Sequence, residues 1–260
     1  MMHHAVAVAS PLARRLYVVC AVMAFALTGV AQAGEARVAV ASNFAPTLDA
    51  LIRGFERHTD HTIAVSSGST GKLYAQIVNG APFDIFLAGD AARPARLDED
   101  GLAVAGSRFT YAVGRLVLWD PAGGGVSADR LRYGEDRVIA MANPKLAPYG
   151  AAADQVLEGL GVTKNKKPKR VYGEDVGQTF AFIHTGNAPV GFIALAQILT
   201  LPESQRGTHW APDAGDYAPI RQDGVLLQSA DGNAAATAFL AFLKSGEARA
   251  IIAEAGYDIP

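Results

Sequence analysis

Short apolar runs and helical apolar stripes alternate along this 260-residue chain. Arg37-Val38-Ala39-Val40 reads as a strand, and Leu48, Leu51, Ile52 and Phe55 follow at the i, i+3, i+4, i+7 spacing of one apolar helical face. Thr62-Ile63-Ala64-Val65 reads as a second strand, with Leu73, Ile77 and Val78 on a shorter helix behind it. Residues 83–88 form a buried strand entered through Gly80-Ala81-Pro82, and Leu97 and Leu102 fit a helix around 94–100. Strands alternating with helices predict a mainly parallel sheet.

The segment 109–119 is long and apolar, broken only by Gly114 and Arg115. After the glycine-rich loop 121–125 the alternation restarts: strand 138–141, turn 143–150, helix 151–160, strand 170–172, helix 175–183, strand 190–195. The basic stretch 164–170, broken by Asn165 and Pro168, reads as a solvated loop. Residues 202–223 are polar and irregular, and two Ala-rich amphipathic helices, 234–243 and 247–255, close the chain. The pattern predicts two similar α/β lobes, with the chain crossing between them near 110–115 and again near 218–223. The expected division is 34–112 for the first part of lobe 1, 113–219 for lobe 2, and 220–260 for the completion of lobe 1.

The first 33 residues change the picture of where this protein works. Arg14 and Arg15 precede an uncharged apolar run, 16–30, and Ala31-Gln32-Ala33 supplies small residues for cleavage. The run is short of the roughly 20 residues a membrane span needs, so 1–33 is expected to be a cleaved export signal and the mature chain periplasmic. The arginine pair alone does not choose between general and twin-arginine export. The segment carries two arginines and no acid, so its loss takes the formal charge from −2 to −4. The remaining basic residues are outnumbered and not gathered into a long run, which argues against a nucleic-acid partner. The single cysteine, Cys20, lies within the signal, so the mature chain has no disulfide and rests on its core.

Candidate chemistry gathers where strands turn into helices. Ala41-Ser42-Asn43 and the run Ser66-Ser67-Gly68-Ser69-Thr70-Gly71-Lys72 each follow a strand and open a helix. In a parallel α/β sheet such turns meet at the carboxyl edge, where ligands bind. The first turn of a helix has unpaired N–H groups and partial positive charge, so small hydroxyls beside it suit a small oxyanion. Ser66 and Ser67 read as helix caps, Ser69 and Thr70 as ligand contacts, and Asn43 as either. The run fails as a nucleotide-binding loop, with Ser66 in place of its first glycine and Leu73 after the lysine. Tyr149-Gly150 and Asp175-Val176 open helices in the second lobe, Asp175 reading as a cap. His58 and His61 flank Asp60 in a polar turn, and His184 and His209 stand alone. With no Gly-x-Ser-x-Gly elbow and no dense His/Asp/Glu group, hydrolase and metalloenzyme readings lack their parts.

Residues 36–258 resemble the molybdate-binding periplasmic proteins of ABC importers. The likeness is carried by Ala41-Ser42-Asn43-Phe44-Ala45-Pro46-Thr47-Leu48, by 66–90 with Gly80-Ala81-Pro82-Phe83-Asp84, by Asn143-Pro144 with Ala147-Pro148-Tyr149-Gly150, and by Gly173-Glu174-Asp175-Val176-Gly177. The resemblance implies a hinged, two-lobed periplasmic-binding-protein fold that is not an enzyme and takes no cofactor. It implies molybdate or tungstate held between the lobes by Ser42, Asn43 and Ser69 or Thr70, with the backbone amides of Tyr149 and Val176. Molybdenum is then bound as an oxyanion, without direct side-chain coordination, and the partner is an inner-membrane ABC permease served by a monomer. Some members supply a tyrosine hydroxyl where this chain has Ala194, so that contact is not carried over.

The residues agree with such a site. Neutral donors can hold a dianion, because hydrogen bonds to a charged group contribute about 1.5–3 kcal/mol each and helix termini roughly 0.3–1 kcal/mol. A site of donors alone also rejects phosphate, whose remaining proton needs an acceptor. Two alternatives stay open at this point: a binding protein for sulfate or another small oxyanion, and an exported α/β enzyme on a phosphorylated or acyl substrate. The enzyme needs a base beside Ser69 or Thr70, for which His184 is the candidate.

Overall fold

The structure is a computed structural model that describes residues 33–134, 138–162 and 168–260. The expected export signal lies outside the described residues except for Ala33, as do positions 164–167 of the basic stretch. Among the described residues no helix is long and apolar enough to cross a membrane.

The chain begins with β1 (Glu35–Ala41), α1 (Ala45–Glu56), β2 (Thr62–Gly68), α2 (Thr70–Val78), β3 (Ile85–Leu87), α3 (Ala92–Glu99) and β4 (Phe109–Gly114). A second series follows: β5 (Leu116–Asp120), α4 (Ala128–Tyr133), β6 (Val138–Ala142), α5 (Pro148–Gly159), β7 (Lys169–Gly173), α6 (Val176–His184), β8 (Val190–Ala194), α7 (Leu195–Leu199) and β9 (Thr208–Trp210). The chain closes with β10 (Ile220–Leu226), α8 (Ala234–Phe242) and α9 (Gly246–Glu254).

Two five-stranded sheets result, in the orders β2-β1-β3-β10-β4 and β7-β6-β8-β5-β9. In the first, β10 runs against both of its neighbours, β3 and β4, while β1 pairs parallel with β2 and β3. In the second, β5 runs against β8 and β9, while β6 pairs parallel with β7 and β8. Each sheet is thus mainly parallel with one reversed strand, the two-lobed architecture the pattern predicts. The reversed strands are the two that the chain enters on crossing between sheets. Arg115 alone separates β4 from β5, and the return leads from β9 into β10. Gly114 and Ile220 are ladder partners, so the two crossings lie side by side.

The first sheet is covered on both faces, as its period-two pattern requires. Val38 and Val40 pack with Leu48, Leu51, Phe55 and Phe239 on one side; Ala39 packs with Leu73, Phe86, Leu97 and Val225 on the other. The second lobe closes around Trp119, Ile139, Met141, Val156, Leu157 and Phe192. Full burial of such a side chain stabilises by about 1.5–3 kcal/mol, enough in number for a fold without disulfides.

Several expectations need correction. Residues 202–223 are not uniformly irregular, because β9 and the start of β10 lie in them. Strand β10 looks like a loop in sequence because Arg221, Gln222 and Asp223 are polar. Its buried Asp223 is satisfied by the Thr110 hydroxyl at 2.7 Å and by Arg108 at 3.2 Å. Val113 and Gly114, placed in lobe 2 by the expected division, stay in the first sheet, and Val113 exchanges hydrogen bonds of 2.8 and 3.0 Å with Asp258. Val78, expected on an apolar face, ends α2 in solvent. Ser66 and Ser67 cap nothing: both are exposed within β2, and the cap of α2 is Ser69. Nor does Asn43 cap α1, whose N-cap residue is Phe44.

Candidate functional site

Parallel pairing brings equivalent turns together at each carboxyl edge. In the first lobe Ala41 and Gly68 are ladder partners at the ends of β1 and β2, so the chain leaves both strands side by side into α1 and α2. In the second, Ala142 and Gly173 are partners at the ends of β6 and β7, leading into α5 and α6. The two edges face each other around a cavity of about 10 Å³, about the space of one water-sized sphere. All six sequence-predicted residues border it: Ser42, Asn43, Ser69, Thr70, Tyr149 and Val176. Ala41, Gly68, Ala147, Pro148 and Asp175 complete the wall.

The three hydroxyls share one arrangement. Each oxygen accepts from a backbone N–H: Ser42 from Gly177 at 3.2 Å, Ser69 from Lys72 at 3.3 Å, and Thr70 from Gly89 at 3.0 Å. None donates to an acceptor among the described residues, so each O–H proton is unspent. Sequence left Ser69 and Thr70 as alternatives. In the structure both are buried, both border the cavity, and Ser69 also caps α2.

Backbone donors add to the hydroxyls. Thr70, Tyr149 and Val176 stand in the first turns of α2, α5 and α6, where helices leave N–H groups unpaired. Together with the N–H of Asn43 they make no hydrogen bond to other described residues. The Asn43 side chain is committed elsewhere: its Nδ2 donates to Gln222 Oε1 at 2.9 Å and to the Tyr257 hydroxyl at 3.2 Å. Its main-chain carbonyl accepts from Tyr257 at 2.8 Å. What Asn43 offers the cavity as a donor is therefore its backbone.

No lysine or arginine borders the cavity. The one carboxylate there, Asp175, caps α6 and accepts from the Gln178 N–H at 2.8 Å. Sequence reading missed the supports behind this wall. Gln197, buried on α7, accepts from the Ala194 N–H at 3.1 Å and donates to the Val176 carbonyl at 3.2 Å, holding the start of α6 in place. Ala194 itself is not among the cavity residues. Gly89 fixes the Thr70 hydroxyl, and Gln222 and Tyr257 fix Asn43. Only an apolar-to-polar break in an otherwise buried strand marks Gln222 in the sequence.

Bonds between the lobes close the site. Besides Ser42–Gly177, the Gly71 N–H donates to the Leu146 carbonyl at 3.0 Å, and Lys72 pairs with Glu174 at 2.5 Å on the rim. The described histidines lie elsewhere. His58 pairs with Glu247 at 3.2 Å, and His61 accepts from the Gly34 N–H at 3.1 Å. His184 is stacked on Phe180 at the last residue of α6, roughly 12 Å along the axis from Val176. It is not placed as a base for Ser69 or Thr70.

The chain matches the family described as bacterial extracellular solute-binding protein over residues 36–258. It is 44% identical over 235 residues to the molybdate-binding protein ModA of Azotobacter vinelandii, covering 90% of this chain and 93% of that protein. With the molybdate-binding protein ModA of Rhodobacter capsulatus it shares 45% identity over 233 residues, 87% of this chain and 89% of the other. The solved structure of the A. vinelandii periplasmic molybdate-binding protein aligns with a TM-score of 0.82 at 42% identity, covering 86% of this chain and 99% of that one.

Proposed function

We propose that this chain, which belongs to the bacterial extracellular solute-binding protein family, captures molybdate, and tungstate with it, for an inner-membrane ABC permease. The observation that carries the reading is a cavity between two lobes bordered by residues with unspent donors of both kinds. Three hydroxyls have their oxygens already occupied by backbone N–H groups, and four backbone N–H groups are unspent. Ser42, Ser69 and Thr70 give O–H bonds to the anion; Asn43, Thr70, Tyr149 and Val176 give N–H bonds. Molybdenum enters and leaves as the oxyanion, and no residue attacks it.

A dianion held this way is bound by several bonds of about 1.5–3 kcal/mol each, and three helix starts add roughly 0.3–1 kcal/mol apiece. The carboxylate of Asp175 is turned to its own helix. The protein is read as a periplasmic monomer, exported by the segment 1–33, whose two lobes close over the anion by bending at the paired crossings.

Calorimetry of the mature protein against molybdate, tungstate, sulfate and phosphate tests the reading. Molybdate and tungstate are expected to bind at one site, and at 100 times Kd to stabilise the fold by about 2.7 kcal/mol. Binding of sulfate alone, or of none of the four, overturns it.

A further inference from the structure

Behind the cavity lies a buried polar cluster that donates nothing to the proposed anion: Asn43 Nδ2, Tyr111, Gln222, Tyr257 and the hydroxyl of Tyr149. We infer that Gln222 is a positioning residue that couples closure of the lobes to the anion site, acting through Tyr149 over a side-chain-free position at Gly114. The inference rests on the reading of the cavity as the oxyanion site.

Gln222 is fully buried on β10. The β4–β10 ladder shifts register between Gln222 and Asp223, and bulges of this kind re-aim a side chain. Its Oε1 accepts from Asn43 Nδ2 at 2.9 Å and from the Tyr111 hydroxyl at 3.1 Å, both in the first lobe. Its Nε2 donates to the Tyr149 hydroxyl at 3.4 Å, and Tyr149 belongs to α5 of the second lobe. One side chain thus holds a residue bordering the cavity on its own lobe and reaches the opposite lobe.

Tyr149 spans the distance between site and hinge. Its backbone borders the cavity, while its hydroxyl lies against Gly114, the last residue before the first crossing. A Cβ at position 114 would overlap that hydroxyl and come within 2.9 Å of Tyr149 Cζ and 2.8 Å of Gln222 Nε2. Closure therefore requires a glycine at 114 and is favoured by the amide at 222. Separating the lobes withdraws the phenol from both, so this seat contributes to the closed form alone. Gln222 then alters affinity without touching the anion, and Gly114 sets whether the lobes can meet.

The test uses the mature protein, molybdate as the probe, and the variants Gln222→Met, Tyr149→Phe, their double, and Gly114→Ala. Wild type is titrated first. Tyr149→Phe is expected to raise Kd about 3- to 10-fold, the range for one net hydrogen bond, and Gln222→Met at least as much, because it also removes the acceptor of Asn43 and Tyr111. The double is expected to be little worse than Gln222→Met alone, because the bond that Tyr149→Phe removes is already lost in it. Gly114→Ala is expected to weaken binding at least as much. With saturating molybdate, small-angle scattering is expected to show it more extended than wild type, a readout that loss of stability in one lobe would not move. Ligand-free melting of Gly114→Ala shows that it folds. Failure of wild type to bind molybdate overturns the ligand reading and the coupling with it. Normal wild-type binding with unchanged Kd in Gly114→Ala and additive effects in the double overturns the coupling alone.

Discussion

The Ser42 hydroxyl oxygen, on the first lobe, accepts a hydrogen bond from the backbone N–H of Gly177, on the second, at 3.2 Å. The bond joins the two halves of the cavity and decides the chemistry of the serine. With its oxygen accepting from one lobe, the remaining proton is free to be given, so closure turns Ser42 into a donor. Ser69 and Thr70 reach the same state through Lys72 and Gly89 within their own lobe. Only one of the three hydroxyls therefore depends on the lobes being together.

Val176→Pro isolates a single backbone donor. Val176 opens α6, and Asp175 before it is extended at φ −141°, ψ 177°, which suits a residue preceding proline. Proline is tolerated at the first helical position but has no N–H. Molybdate affinity is expected to fall by about 1.5–3 kcal/mol, read by calorimetry. The helix is expected to persist in circular dichroism.

Thr70→Val keeps the shape and removes the proton. The buried Gly89 N–H loses its acceptor as well, so both stability and affinity are expected to fall, each by about 1–3 kcal/mol. Thr70→Asp sets a carboxylate against the dianion in a poorly screened site and is expected to abolish binding. An Asp variant that binds normally would place the anion elsewhere.

Ser66 and Ser69 are expected to behave differently. Ser66→Ala lies on an exposed strand position and is expected to change neither melting nor affinity measurably. Ser69→Ala removes the cap of α2, at a cost of about 1 kcal/mol in denaturant unfolding, and weakens molybdate binding in the same preparation.

Alkaline pH is expected to destabilise the fold. Burial holds the phenols of Tyr111, Tyr149 and Tyr257 well above their ordinary value of 10.0, and neighbouring tyrosines push the first two further. The folded state keeps protons that the unfolded chain loses above about pH 10. Their stabilising contribution is full below that pH and is lost as pH rises through the folded values. At the acid end, the Arg115 hydrogen bond holds Asp258 below its usual 3.8. That contribution is present above about pH 4 and lost as pH falls through the lowered value. A pH series of melting temperatures checks both limbs, and Tyr257→Phe is expected to flatten the alkaline one.

Strand-to-helix alternation made the lobes legible in sequence because burial leaves a periodic trace: Val38, Ala39 and Val40 must serve two faces, and Leu48, Leu51 and Phe55 one. The cavity-lining turns were legible for a related reason, since parallel strands bring the turns that follow them to one edge of the sheet. Polar strands were not legible. Gln222 and Asp223 read as loop because the partners that offset their burial, Arg108, Thr110 and Tyr149, are distant in sequence.

The sequence by itself, through its strand-to-helix turns and the family resemblance they carry, singled out six of the residues that border the cavity: Ser42, Asn43, Ser69, Thr70, Tyr149 and Val176. Only the tertiary structure decided what each gives. Asn43 turns its side-chain amide to Gln222 and Tyr257 and keeps its backbone for the cavity. Ser69 is both cap and donor, while Ser66, in the same serine-rich run, is neither. The reason is that a hydroxyl or amide has several hydrogen-bonding directions, and which remain unspent depends on partners brought close by folding.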